Sequence, residues 1–159
     1  MAKIRGSVGT TRGFLQAVNK WTKATEERST EAYQNGAIDF YDALSRETPV
    51  LTGNLRNSLV AHVGDATMTV TGPGLTSGDN TNRSGASESI ANIMRAKLGD
   101  RISYVYHATY ARRLNNGFFG VDSLGRSYNQ AGRFWIERVG AQYRSIMRAA
   151  ATRLRMDMK

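Results

Sequence analysis

The feature that most constrains the fold of this chain is an apolar repeat that runs from about residue 11 to residue 47 and contains no proline. Its members, at steps of three, four or seven residues, are Phe14, Val18, Trp21, Thr25, Ala32 and Gly36. This is the period of an amphipathic α-helix with one apolar face. Pro49 ends the pattern, because the residue before a proline is driven out of the helical region. We therefore predict a long N-terminal helix, in which Gly36 marks either a bend or a close contact.

The segment that follows has the apolar-polar alternation of half-buried strands. Leu55–Val63 and Ala66–Thr71 both show it, and Gly64-Asp65 between them predicts a hairpin turn. Farther along, Arg101–His107 is rich in β-forming residues and predicts a third strand. We therefore predict a β-rich middle over residues 52–130.

One short helix and two loose segments interrupt this middle. Ser87–Leu98 has its apolar residues on one helical face, and Gly99 can end such a helix. Gly72–Gly85 has almost nothing to bury, and Gly117–Gly132 is a glycine-containing stretch that predicts a hairpin or an extended arm. Long loops are uncommon in compact domains and are usually functional. We expect both segments to reach neighbouring molecules.

A second helical pattern covers about residues 131–156. Its apolar face is formed by Ile136, Val139, Tyr143, Ile146, Met147, Ala150 and Leu154. If the helix is continuous, a neighbouring face about 60° wide carries four arginines, Arg133, Arg144, Arg148 and Arg155. We predict that this arginine face contacts a neighbouring subunit or faces DNA.

Composition limits the classes of protein that fit. The 159 residues suit a single domain, 1–159, and 22 Lys and Arg against 13 Asp and Glu give a net charge of +9. Such an excess favours a polyanion or an acidic protein surface as a partner. The absence of Cys excludes a disulfide framework and thiolate metal sites. No apolar run reaches the length of about 18 residues that a membrane span needs, and the N-terminus predicts no secretory signal.

Residues suited to catalysis are few. The two histidines, His62 and His107, are 45 positions apart, and neither has a ligand partner at metal-binding spacing. No Gly-x-Ser-x-Gly elbow and no phosphate loop occurs. We predict no enzyme, no catalytic residues, no cofactor and no metal; the catalytic alternative stays open only because triads are recognised by geometry.

Three motifs follow one another along the chain. The first is Thr48-Pro49-Val50-Leu51-Thr52-Gly53-Asn54-Leu55-Arg56-Asn57-Ser58-Leu59, directly after the long helix. The second is Tyr110-Ala111-Arg112-Arg113-Leu114-Asn115-Asn116-Gly117, and the third is Gly132-Arg133-Phe134-Trp135-Ile136. In order and spacing they resemble the tail-completion, or neck, proteins of long-tailed bacteriophages over about residues 10–155. The chain departs from that family at Asn115, where a Glu is usual, and in lacking both prolines of the third motif.

The motif residues suit a structural role. Pro49 stops the helix, Gly53 permits a tight turn that the Thr52 hydroxyl can hold, and Leu55 with Leu59 can anchor the next segment in the core. Nothing in this set activates a nucleophile. The site residues that the resemblance implies are Pro49, Thr52, Gly53, Leu55, Arg56, Ser58, Tyr110, Ala111, Gly117 and Phe134.

We expect an α+β domain: a small, mainly antiparallel sheet packed against long N- and C-terminal helices, with extended loops. The resemblance implies a virion structural protein, assembled in the host cytoplasm into a ring, on the family pattern a hexamer. It implies further that the ring lies at the head–tail junction or the upper end of the tail, where it joins the capsid connector to the tail around the DNA path. The partners that the resemblance implies are further copies of the chain and adjacent connector and tail proteins, with non-specific contact to genomic DNA in the lumen and no membrane. Tail-terminator and head-closure positions remain open alternatives.

A different class of function fits the charge alone. A basic nucleic-acid-binding module would use the C-terminal arginine-rich helix for phosphate contacts. No helix-turn-helix, zinc-finger or RNP signature accompanies it. The two hypotheses differ in what they predict for the isolated protein: self-association in one case, salt-sensitive duplex binding in the other.

Overall fold

Long helices at both ends of the chain enclose two small antiparallel sheets in the computed structural model, which describes residues 8–64, 85–121 and 123–156. The predicted α+β class is confirmed. In chain order the elements are α1 (Val8–Glu47), α2 (Asn54–Asn57), β1 (Leu59–Val63), α3 (Gly85–Ile93), β2 (Ile102–Tyr106), α4 (Ala111–Asn116), β3 (Gly117–Val121), β4 (Ser127–Ala131), α5 (Trp135–Ala141) and α6 (Tyr143–Met156).

The predicted N-terminal helix is confirmed as α1, whose 40 residues give it a length of about 60 Å. Only its C-terminal part is packed into the core, through Ala37, Tyr41 and Leu44. Residues 11–23, which include Phe14 and Trp21, are exposed. The apolar repeat thus predicts the helix correctly, but burial covers only the second half of it.

The main core forms where α1 crosses the first sheet. β1 and β2 pair antiparallel, with Leu59 opposite Tyr106 and Val63 opposite Ile102. Leu59 and Ala61 are fully buried against α1 and against Ile93 of α3. The Tyr41 hydroxyl donates to the Leu59 carbonyl at 3.2 Å, so the helix is also hydrogen-bonded to the strand.

Side chains of α3 hydrogen-bond to the backbone of β1. The Ala61 amide donates to Ser89 Oγ at 2.9 Å, and Asn92 Nδ2 donates to the Ala61 carbonyl at 2.9 Å. The helix is shorter than the predicted range of 87–98. It ends at Ile93 because the following residues form turns, with the Lys97 amide bonded to Asp100 Oδ2 at 2.7 Å.

The predicted strand Leu55–Val63 is wrong in its first half. Gly53 has φ +85°, a left-handed conformation suited to glycine, and the chain then makes the helical turn α2 before β1 begins at Leu59. The turn places Leu55 in a second apolar cluster with Ala111 and Trp135, against which Tyr106 at the end of β2 also packs. The predicted strand 66–71, and residues 72–84 of the predicted loop, lie outside the described residues.

The second loose segment is a hairpin, one of the two predicted alternatives. β3 and β4 pair antiparallel, with Gly117 opposite Ala131 and Val121 opposite Ser127. They form a sheet separate from β1–β2, so the single predicted sheet is wrong. The hairpin starts directly at the end of α4, which makes it a projection attached to the helical part.

The predicted C-terminal helix over 131–156 is wrong in its first turn and in its continuity. Ala131 ends β4, and helix begins only at Trp135. Gln142 separates α5 from α6. α6 then runs antiparallel along α1: Tyr143 meets Phe40 edge-on at 5.2 Å between ring centroids, and Met147 lies over Gly36. Gly36 therefore marks a close contact.

Candidate functional site

The three sequence motifs meet in one buried apolar cluster. Leu55 of the first motif, Ala111 of the second and Trp135 of the third are all buried there. Trp135 is 0% exposed, the largest side chain in the described interior to be fully enclosed. The motifs thus lie far apart in sequence but pack together in the fold, where they attach α4 and α5 to the end of α1.

Tyr106 links this cluster to α1 by hydrogen bonds. Its hydroxyl lies 2.7 Å from Thr48 Oγ1 and accepts from Trp135 Nε1 at 3.1 Å. Thr48 in turn donates to the Leu44 carbonyl at 2.7 Å, which holds the last turn of α1. Burial raises the pKa of the Tyr106 hydroxyl, although the hydrogen bonds with Thr48 and Trp135 act in the opposite direction.

Other residues of the first motif fix the backbone. Arg56 Nε donates to the Ser45 carbonyl at 2.8 Å, so this arginine ties α2 to α1. Ser58 Oγ donates to the Leu55 carbonyl at 2.7 Å, and the Ser58 carbonyl accepts from the His107 amide at 2.9 Å. These bonds determine how the chain passes from the helix into β1.

Asn115, the departure from the family pattern, is at the centre of a polar contact. It is 3% exposed, and its Nδ2 donates to both carboxylate oxygens of Glu137 at 2.9 Å. Its Oδ1 accepts from the Ile136 amide at 3.2 Å, at the start of α5. Because its partner is a carboxylate, an amide donor at position 115 suits this site and a second carboxylate does not.

Two backbone conformations next to Asn115 are unusual. Gly117 has φ +84°, and a Cβ there would lie 2.7 Å from the Gln130 carbonyl oxygen and the Gly132 nitrogen. Phe134 has φ +48°, which is uncommon for a residue with a side chain, and it is half exposed. The backbone at the junction of α4, the hairpin and α5 is therefore restricted to a single conformation.

An apolar groove of about 530 Å³ lies between the first motif and the hairpin. The first motif contributes Pro49, Thr52, Gly53 and Leu55 to its wall, among others. The second motif contributes Tyr110 and Leu114, and the hairpin contributes Phe118, Tyr128 and Gln130. Its charged wall residues are Arg113 and Arg133, and the Arg113 guanidinium lies over the Phe118 ring at 4.6 Å. Val50 and Leu51 also line it, and Leu51 is 97% exposed.

A second exposed apolar surface lies on the N-terminal half of α1. Phe14 and Trp21 are 67% and 69% exposed, and Val18 between them is 39% exposed. At about 100° per residue, these three side chains lie within about 60° of one another and in line with Gly36. We call the row Phe14, Val18 and Trp21 the free seam, because it continues the line along which α6 packs on α1.

The predicted arginine face is divided by the break before α6. Arg133 lies ahead of α5 and lines the groove. Arg144, Arg148 and Arg155 lie on α6 at steps of four and seven, and all three are exposed. The remaining arginines at this end partly face α1, where Arg153 pairs with Asp39 and Arg138 with Glu47.

The structure brings together two residues that the sequence left separate. His62 on β1 and His107 after β2 face each other, with their Nε2 atoms 3.4 Å apart. Register between two strands is a long-range property, so spacing in the sequence gives no signal for this pair. No group of three or more metal-ligating side chains is found among the described residues.

No protein-family model, no curated protein and no solved structure matches this chain. Within the described ranges, none of the helices combines the length and apolar character needed to cross a membrane.

Proposed function

We propose that this protein is a self-assembling structural subunit, and that it forms a ring at the head–tail junction or the upper end of a phage tail. The observation that carries self-assembly is the free seam on α1. The phage location rests on the resemblance of the three motifs. The proposed role joins the capsid connector to the tail, with the ring around the DNA path.

The free seam has the properties of a helix-packing surface. Its residues follow the four-then-three spacing with which helices interlock, and the same line on α1 already holds α6 farther along. Full burial of a large apolar side chain contributes about 1.5–3 kcal/mol, so covering Phe14 and Trp21 supplies a substantial driving force. We assign a helix of a neighbouring copy to this surface.

A ring needs two different contact surfaces on each subunit, because its contacts are heterologous. The groove beside the first motif provides a second apolar surface, at the other end of α1 from the free seam. The hairpin adds exposed apolar side chains of its own, Phe119, Val121 and Leu124. Two separated apolar surfaces on one subunit allow each copy to contact two neighbours.

The test compares two double variants of α1 that add equal charge to opposite faces. Val18→Glu with Trp21→Glu places carboxylates in the free seam, and Gln16→Glu with Asn19→Glu places them on the far side of the same helix. Light scattering after size-exclusion chromatography, with negative-stain imaging, measures the oligomer. We expect rings for the unchanged chain and the control, and monomers for the seam variant.

If the unchanged chain remains monomeric at high concentration, self-assembly is contradicted. Equal oligomers from both double variants would remove the free seam from the interface. The location needs a separate measurement, namely detection of the protein by specific antibodies in purified phage particles. Its absence there would leave assembly intact and overturn the proposed position.

A second candidate function is non-specific DNA binding by the exposed arginines of α6. Arg144, Arg148 and Arg155 lie on one face of a single helix, a geometry that suits phosphate contacts. Replacing all three by Ala should lower the slope of log affinity against log salt by about 2–3. Lys20, Lys23 and Arg28 on α1, replaced together by Ala, form the control of equal charge. No duplex binding at about 50 mM salt would exclude this candidate.

A further inference from the structure

The first sheet carries its two histidines on one face. His62 is two residues beyond Val60 on β1, and His107 is two residues beyond Val105, which pairs with Val60. Because side chains alternate along a strand, all four point to the same side of the sheet. The imidazole rings extend toward each other along that face, with centroids 5.7 Å apart and planes at 77°.

The distance between the two Nε2 atoms is more suitable for a shared metal ion than for a direct hydrogen bond. At 3.4 Å it exceeds the usual range of about 2.7–3.2 Å for an N–H donor and its acceptor. Two imidazole nitrogens bound to one tetrahedral Zn²⁺, each at about 2.0–2.1 Å, lie about 3.3–3.4 Å apart. The separation in the protein agrees with this value.

We propose that His62 and His107 form a two-imidazole binding site for a divalent transition-metal ion, with Zn²⁺, Ni²⁺ and Cu²⁺ as the class that imidazole prefers. Water fills the other positions of the ion. The site ties the end of β1 to the end of β2 through side chains as well as backbone. It is independent of the proposed assembly surfaces, since neither the free seam nor the groove contains a histidine.

The composition makes this site easy to test, because the chain has only two histidines and no cysteine. Tag-free full-length protein is titrated with ZnCl₂, NiCl₂ or CuSO₄, with MgCl₂ as a control for a cation that prefers oxygen ligands. Thermal unfolding and calorimetry measure binding. We expect one ion per chain, a rise in the unfolding temperature with each transition metal, and none with Mg²⁺.

His62→Gln and His107→Gln each remove one ligand and keep a polar side chain of similar reach. Each should weaken binding by about tenfold or more, because a single imidazole is left to hold the ion. Unchanged binding in either variant, or no binding to the unchanged chain, would overturn the proposal. A spectroscopic readout on the unchanged chain covers the case in which a variant does not fold: bound Cu²⁺ should show coupling to two nitrogens in its electron paramagnetic resonance spectrum, and oxygen ligands alone would refute the site.

Discussion

The contact between Asn115 and Glu137 gives the sharpest prediction about the motif junction. Asn115→Asp keeps the shape of the side chain but replaces the amide that donates to Glu137 with a carboxylate. The change removes three hydrogen bonds, two of 2.9 Å to Glu137 and one of 2.8 Å to Asn116 Oδ1, and it places a second negative charge about 2.9 Å from Glu137 on a residue that is 3% exposed. Glu137 is itself exposed, so water screens the repulsion considerably.

The expected cost follows from these terms. Loss of hydrogen bonds to a charged partner costs about 1.5–3 kcal/mol, and the screened repulsion adds about 1 kcal/mol. We therefore expect Asn115→Asp to lower the free energy of unfolding by about 3 kcal/mol at pH 7. Burial and the nearby carboxylate raise the pKa of the new aspartate in the folded state. The cost should then shrink as the pH falls toward about 4, since the unfolded chain holds that proton less tightly.

Urea unfolding at pH 7 and pH 4 measures both the cost and its pH dependence. Asn129→Asp is the matched control, because it adds the same charge on an exposed side chain of β4 that takes no part in this contact. Adding Glu137→Gln to Asn115→Asp should recover most of the loss, as a donor then faces the carboxylate again. A cost below about 1 kcal/mol, or the same cost at both pH values, would refute this account of the contact.

Three further predictions concern the packing of the motifs and of the main core. Trp135→Ala should cost about 3–5 kcal/mol in urea unfolding, because it empties a fully buried site, whereas Phe134→Ala, half exposed, should cost much less. Gly117→Ala should cost at least about 2 kcal/mol more than Gly125→Ala: both glycines have positive φ, but only Gly117 has backbone atoms where the Cβ would lie. Burial raises the pKa of the Tyr104 hydroxyl, so the stability that its neutral form contributes is lost as the pH rises through that raised value. Tyr104→Phe removes this ionisable hydroxyl. The variant should therefore lose less of its pH 7 stability in an alkaline titration than the unchanged chain loses.

Local periodicity was enough to predict the long helices at the two ends of the chain, because the signal for such a helix lies within a few turns. The repeat before Pro49 predicts α1, and the spacing of Ile146, Ala150 and Leu154 predicts α6. What periodicity does not contain is the identity of the surface that covers an apolar face. Phe14 and Ala37 belong to the same helix and similar patterns, yet only Ala37 has a partner in the described fold.

The errors arose where a backbone conformation or a distant contact decides the structure. Leu55 has the pattern of a strand residue, but the left-handed Gly53 turns the chain into α2 and sends Leu55 toward Trp135. The break between α5 and α6 falls at Gln142, a position with no proline or glycine from which it could be predicted. His62 and His107 meet through strand register, which depends on both strands at once.

The projection of α1 has a geometric consequence for the free seam. A continuous helix fixes the direction of every side chain along it. The packing of Tyr41 and Leu44 in the core therefore also determines the direction in which Phe14 and Trp21 point. Removing seven residues between the free seam and the core would shorten the helix by about 10 Å and leave the direction of the seam almost unchanged. Removing two would swing it by about 200°, to the far side of the molecule. The number of whole helical turns in α1 therefore sets the distance between the free seam and the core. The fraction of a turn that is left over sets the direction in which the seam faces.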